Sequence, residues 1–130
     1  MKRILVIDDD EICRRTVSRV LEQSGYDVTE ADNGQDGLEI ALKSKPDLVV
    51  CDVVMSKLDG LGVFDKLRAN PATKAVPFIF MTGMVTKEAA KRGPALGADG
   101  VLMKPFSLTE LLARVKECAA LPRKARRAGH

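Results

Sequence analysis

Four short apolar runs, set apart by longer segments of helical character, constrain the fold of this chain more than any other feature. They are Ile4-Leu5-Val6-Ile7, Leu48-Val49-Val50-Cys51, Phe78-Ile79-Phe80-Met81 and Val101-Leu102-Met103. A fifth stretch, Asp27-Val28-Thr29-Glu30-Ala31, alternates in polarity instead. Runs that are apolar at every position suit parallel strands covered by helices on both faces, whereas alternation suits a strand at the sheet edge.

The segments between the runs carry one-sided apolar stripes. Cys13, Val17, Val20 and Leu21 share one helical face, and so do Leu108, Leu111, Leu112, Val115 and Ala119. Gly25 closes the first helix as a C′ glycine, and Ser107 with Glu110 forms a capping box before the last. A weaker helix follows Asn33-Gly34 with Leu38, Ala41 and Leu42, and another runs from about Gly60 to Asn70 with Leu61, Phe64 and Leu67. A fourth helix is expected over Lys87–Leu96, but Gly93-Pro94 falls inside it. A proline in a helix interior costs about 3 kcal/mol, so this helix is expected to be short, kinked or split. Five strands alternating with five helices give an α/β chain of (βα)5 type, a three-layer sandwich around a parallel five-stranded sheet. The flavodoxin-like strand order 2-1-3-4-5 fits the edge character of the second strand.

At 130 residues the chain is expected to form one domain. No apolar run approaches the roughly 18 residues of a membrane span and no signal peptide opens the sequence, so the expected location is cytoplasmic, without membrane insertion. Cys13, Cys51 and Cys118 are odd in number and widely spaced, which speaks against a disulfide framework or a zinc site. The only histidine is His130, which excludes histidine-dependent triads and H-E-x-x-H metal sites. Net charge is +3, but Arg123, Lys124, Arg126 and Arg127 lie beyond Leu121. The remaining 17 basic residues fall one short of the 18 acidic ones, so the body has no charge signature of direct nucleic-acid binding. The expected organisation is one domain over residues 1–121 and a flexible basic tail over 122–130.

In sheets of this kind ligands bind beyond the carboxyl ends of the strands. The residues there are polar at every central strand: Asp8-Asp9-Asp10 after the first, Asp52 at the third, Thr82 at the fourth and Lys104 before Pro105 at the fifth. Carboxylates converging from different strands raise one another's pKa unless a cation neutralises them. A hard divalent ion with oxygen ligands suits such a site, and Mg²⁺ keeps several waters there. An acidic metal site, a hydroxyl and an ammonium together are equipment for handling a phosphoryl group.

With these residues the chain resembles a response-regulator receiver domain, similar to the single-domain chemotaxis type, over about residues 3 to 121. The matching features are Asp8-Asp9, Asp52 with Met55 and Asp59-Gly60 after it, Thr82, Gly97-Ala98-Asp99 and Lys104-Pro105-Phe106. Thr82 stands 30 residues after Asp52, and Lys104 stands 22 after Thr82, as in that family. The resemblance implies that Asp52 accepts a phosphoryl group from a phosphohistidine of a sensor histidine kinase or histidine phosphotransfer protein. It implies that Asp9, Asp52 and the Val54 carbonyl hold Mg²⁺, with Asp8 binding through water. Thr82 and Lys104 would then bond the phosphoryl group. Acyl phosphate formation adds about −1.5 to −2 charge, and the resulting pull on Thr82 and Lys104 biases a two-state loop and helix. Such a protein is a switch for a downstream protein target, with a phosphorylation-dependent dimer as one form of output. It is no enzyme beyond its own phosphorylation and dephosphorylation.

Three departures from the family pattern bear on the output. Ser56 stands where the family has proline, Val101 where it has an aromatic switch residue, and Gly93-Pro94 interrupts the fourth helix. Activation is therefore expected not to depend on aromatic rotamer exchange. Val54 and Met84, both apolar, are expected to hinder attacking water and prolong the phosphorylated state.

Plainer readings exist for single residues. Asp10 suits a helix N-cap. Cys51 and Tyr26 read as core and packing, and the basic tail as a solvated terminus. Two other functions compete. In a haloacid-dehalogenase-like phosphohydrolase, Asp8 would be the nucleophile and Asp10 the acid, but Asp52 would have no role and no cap domain fits the length. In a receiver-like adaptor, partners would bind without phosphorylation. Neither a DNA-binding helix-turn-helix nor a catalytic unit is expected after residue 121.

Overall fold

The computed structural model describes residues 2–53, 55, 57–82 and 99–120, with Thr82 described for its backbone. In chain order these form β1 (Arg3–Ile7), α1 (Glu11–Gln23), β2 (Asp27–Ala31), α2 (Gly34–Ser44), β3 (Leu48–Asp52), α3 (Gly60–Ala69), β4 (Phe78–Thr82), β5 (Gly100–Met103) and a further helix, here α4 (Leu108–Ala119). The strands make one sheet of order β2-β1-β3-β4-β5, parallel at every pairing. The expected architecture is therefore present, and the alternating stretch 27–31 is indeed an edge strand. The helix expected over 87–96 and the tail after Leu121 lie outside the described residues.

Strand periodicity divides the apolar runs between two cores. Leu5, Ile7, Val49, Cys51, Phe78 and Phe80 face α2 and α3, where Leu38, Ala41, Val63, Phe64 and Leu67 meet them. Ile4, Val6, Leu48, Val50, Ile79, Met81 and Leu102 face α1 and α4, where Val17, Leu21, Leu111, Val115 and Cys118 meet them. Each fully buried aliphatic or aromatic side chain of this kind contributes about 1.5–3 kcal/mol of transfer free energy. Phe64, Phe78 and Phe80 stack as a trio with ring centroids 4.8–5.4 Å apart in tilted and edge-on arrangements.

The helix ends follow the residues that mark them. Asp10 caps α1 by accepting from the Ile12 and Cys13 N–H groups. Asn33 caps α2 and Asp59 caps α3. Ser107 and Glu110 close the capping box of α4 reciprocally. Gly25 follows α1 with φ 95°, as a C′ glycine does. Leu108 differs from expectation: it is half exposed, because as the first residue of α4 it precedes the turn that lies on the sheet. None of the described helices is long and apolar enough to cross a membrane.

Candidate functional site

Parallel pairing brings all five carboxyl strand ends to one edge of the sheet. Asp8 leaves β1, Asp52 ends β3, and the two strands are neighbours. Asp8 is fully buried and Asp52 nearly so, while Asp9 is exposed beside them. Carboxylate oxygens of Asp8, Asp9 and Asp52 all lie within 4.8 Å of one another.

Lys104 follows β5, two strands away from β3, and its side chain spans the gap. Its Nζ donates to Asp8 Oδ2 at 3.0 Å and to Asp52 Oδ2 at 3.1 Å. The other oxygen of Asp8 accepts from the Asp10 N–H at 3.0 Å. Asp10 thus caps the helix with its side chain and orients Asp8 with its backbone.

The turn after β3 is packed tightly. A Cβ on Gly60 would overlap the carbonyl oxygen of Asp52, so only glycine allows α3 to start this close to the end of β3. The Gly60 N–H also bonds the Val53 carbonyl at 2.8 Å.

Among the described residues, Lys104 is bonded to two of the three carboxylates, Asp8 and Asp52. Burial raises the Asp52 pKa above the ordinary carboxylate value, the Lys104 charge opposes this, and the Asp8 carboxylate adds to it. Burial alone would lower the Lys104 pKa, but the bond to Asp8 and the charges of Asp52 and Asp8 outweigh it and raise the ammonium above its usual range. Two thiols beside the cluster are raised as well, first by burial. Cys13 is pushed up to about 11 by burial and by its contact with Asp8. Cys51, buried in the core as expected, is raised by burial and by Asp52 and Asp8.

Of the residues singled out from sequence, the structure brings Asp8, Asp9, Asp52 and Lys104 together. Thr82 ends β4 between β3 and β5, and its side chain lies outside the described residues, as do Val54, Ser56, Met84 and Gly93-Pro94. Val101 is half-buried against the α2–α3 core. Sequence reasoning missed Arg14, whose guanidinium reaches the Asp8 carbonyl from α1. Its position on α1 reads as surface charge, and only the bend of the chain after β1 reveals the contact.

The donor set fits a hard divalent cation. Three carboxylates supply only oxygen ligands, and a bound cation would neutralise the Asp52 charge that burial, and then the neighbouring Asp8, disfavour. Asp8, Asp9 and Asp52 are the described residues that would hold it.

The comparisons with known proteins agree with this geometry. The family model for the response regulator receiver domain matches residues 4–116. The "DNA-binding dual master transcriptional regulator RpaA" of Synechocystis sp. is 40% identical over 116 residues, which are 89% of this chain and 48% of that protein. The "alkaline phosphatase synthesis transcriptional regulatory protein PhoP" of Bacillus subtilis is 42% identical over 115 residues, 88% of this chain and 47% of that protein. The chain thus spans about half the length of these curated relatives. Among solved structures, the chemotaxis response regulator CheY4 of Vibrio cholerae superposes with a TM-score of 0.84 at 31% identity, covering 91% of this chain and 98% of that one. The fold, the acidic cluster at its strand ends and the family match together identify the chain as a member of the response regulator receiver domain family of two-component signalling.

Proposed function

We propose that this receiver domain is a phosphoryl-accepting switch with Asp52 as the acceptor. The observation that carries the reading is the ammonium of Lys104 bridging Asp8 and Asp52 at 3.0 and 3.1 Å, with Asp9 beside them. A carboxylate oxygen of Asp52 attacks the phosphorus of a phosphohistidine on a sensor histidine kinase or histidine phosphotransfer protein. The P–N bond breaks, its electrons return to the imidazole, and an acyl phosphate forms on Asp52.

Asp8, Asp9, Asp52 and the Val54 carbonyl would hold Mg²⁺ in this reading, and the ion would supply charge neutralisation for the phosphoryl group. Lys104 exchanges its bond to Asp52 for one to the phosphoryl group, and the Thr82 hydroxyl turns to bond the same group. The gain of about −1.5 to −2 charge is the input to the switch. The output is a protein contact, with a phosphorylation-dependent dimer among its forms. The chain is no enzyme toward other substrates, and the balanced charge of its body argues against direct nucleic-acid contact by the receiver itself.

Burial disfavours the phosphohydrolase alternative. Asp8 has no exposed surface, and its two oxygens are already engaged by Lys104 and the Asp10 N–H, so it is a poor attacking group. The test is incubation with Mg²⁺ and a small acyl-phosphate donor, read by intact mass, beside Asp52→Asn. One phosphoryl adduct is expected in the wild type, dependent on Mg²⁺, and none in the variant. An adduct that persists in Asp52→Asn would move the acceptor to Asp8. No adduct despite bound Mg²⁺ would leave the adaptor reading.

A further inference from the structure

Behind the acidic cluster, a largely buried guanidinium ties the turn after β1 to the edge strand. Arg14 is the fourth residue of α1 and keeps 12% of its side chain exposed. Its Nη1 donates to the carbonyl oxygen of Asp8 at 3.0 Å, and its Nε donates to Glu30 Oε1 on β2 at 2.9 Å. Asp8 is therefore fixed twice, at its carbonyl by Arg14 and at its carboxylate by Lys104 and the Asp10 N–H. A peptide group is planar, so holding the Asp8 oxygen also orients the bond that leads to the Asp9 Cα.

We infer that Arg14, anchored by Glu30, is a positioning residue for the cation site. It acts through the Asp8 carbonyl to set where Asp8 and Asp9 present their carboxylates. The inference deepens the function proposed above and rests on its cation site. The planar fork of arginine is needed because one side chain must reach two acceptors, one in the turn after β1 and one on β2, which a single ammonium cannot do in the same geometry.

Two accounts of Arg14 predict opposite signs. If its charge mattered most, removing a cation near the cluster would tighten Mg²⁺ binding. If its bonds matter most, removal lets the Asp8–Asp9 peptide move and weakens binding. Residues that orient metal ligands typically change affinity by about 10–100-fold.

The test is a Mg²⁺ titration of the protein followed by backbone amide NMR shifts, for wild type, Arg14→Gln, Arg14→Lys, Glu30→Gln and Arg68→Gln. Both Arg14 variants are expected to bind about tenfold more weakly. Glu30→Gln is expected to lose less, in the same direction. Arg68, a buried arginine bonded to the Val76 carbonyl at the opposite end of the sheet, is the control. Arg68→Gln should lower Tm and leave Mg²⁺ affinity unchanged. Unchanged affinity in both Arg14 variants, tighter binding in Arg14→Gln, or full affinity in Arg14→Lys would each overturn the inference. A wild type without saturable shifts would instead overturn the cation site on which it rests.

Discussion

At the amino ends of the strands each of two prominent aspartates meets donors that match it. Asp47, just before β3, accepts from the Arg3 N–H at 2.8 Å. Asp99, just before β5, accepts from the Phe78 N–H at 2.8 Å and lies 3.8 Å from the Arg68 guanidinium. Arg68 in turn donates to the Val76 carbonyl at 2.7 Å and covers the Phe64 ring at 4.6 Å. At the carboxyl ends, about one strand length away, three aspartates lie together, and Lys104 bridges two of them, Asp8 and Asp52. The same residue type therefore does two jobs. Where it accepts from a backbone N–H at the amino ends, it ties strands together. Where several carboxylates are buried close together, burial and their mutual repulsion disfavour their charged forms.

Breaking one end and then the other sharpens this contrast. The largest effect is expected at the amino end. Asp99→Ala removes the acceptor of a strand N–H and the carboxylate beside the Arg68 guanidinium, which keeps its bond to the Val76 carbonyl, at a cost of about 3 kcal/mol. Chemical denaturation measures the loss, and Mg²⁺ affinity of the folded variant should stay at the wild-type value.

A smaller loss is expected at the carboxyl end. Lys104→Met removes the one ammonium that separates Asp8 from Asp52, at a cost of about 2 kcal/mol at neutral pH, the scale of a charge-assisted hydrogen bond. The sign of its pH dependence follows from Asp52. A carboxyl whose pKa is raised on folding contributes stability below its unfolded pKa and loses that contribution as pH rises through its folded pKa. Without Lys104, which holds the Asp52 pKa down, that pKa rises further. The gap between variant and wild type should therefore narrow on acidification, and equal gaps at neutral pH and about pH 5 would contradict this account.

The smallest effect should have the opposite sign. Asp52→Asn keeps an oxygen for Lys104 but removes a charge that burial and Asp8 disfavour. In Mg²⁺-free buffer at neutral pH its Tm should exceed that of the wild type by a few degrees, and thermal denaturation with and without Mg²⁺ should show the advantage shrinking when the ion is added. A lower Tm without Mg²⁺ would mean that the Asp52 charge carries no cost.

Local signals made most of the fold legible. Runs such as Leu48–Cys51 could only be doubly covered strands, and Asp10, Gly25 and Ser107 mark helix ends through bonds within a few residues. The cluster of Asp8, Asp9, Asp52 and Lys104 was legible because a parallel sheet sends every strand end to one edge. The amino-end clamp was not. Asp99 stood in the sequence only as part of a Gly-Ala-Asp motif, and its partner Phe78 is 21 residues away in a run that reads as pure core. Arg14 was hidden for a similar reason, since its contact with Glu30 on β2 depends on how α1 crosses the sheet. Leu108 was assigned to the buried stripe because periodicity does not mark where a helix first touches its sheet.

The bond between Lys104 and Asp8 joins residues 96 positions apart. It is among the most non-local contacts in the molecule, and contacts of that kind form only after the chain between them has been ordered. Asp8 and Asp52 both precede Lys104 in the chain, so the lysine bridges them only once β5 has joined the sheet. In the function proposed above, competence to accept a phosphoryl group thus depends on a contact that exists only when β5 is in place beside β4.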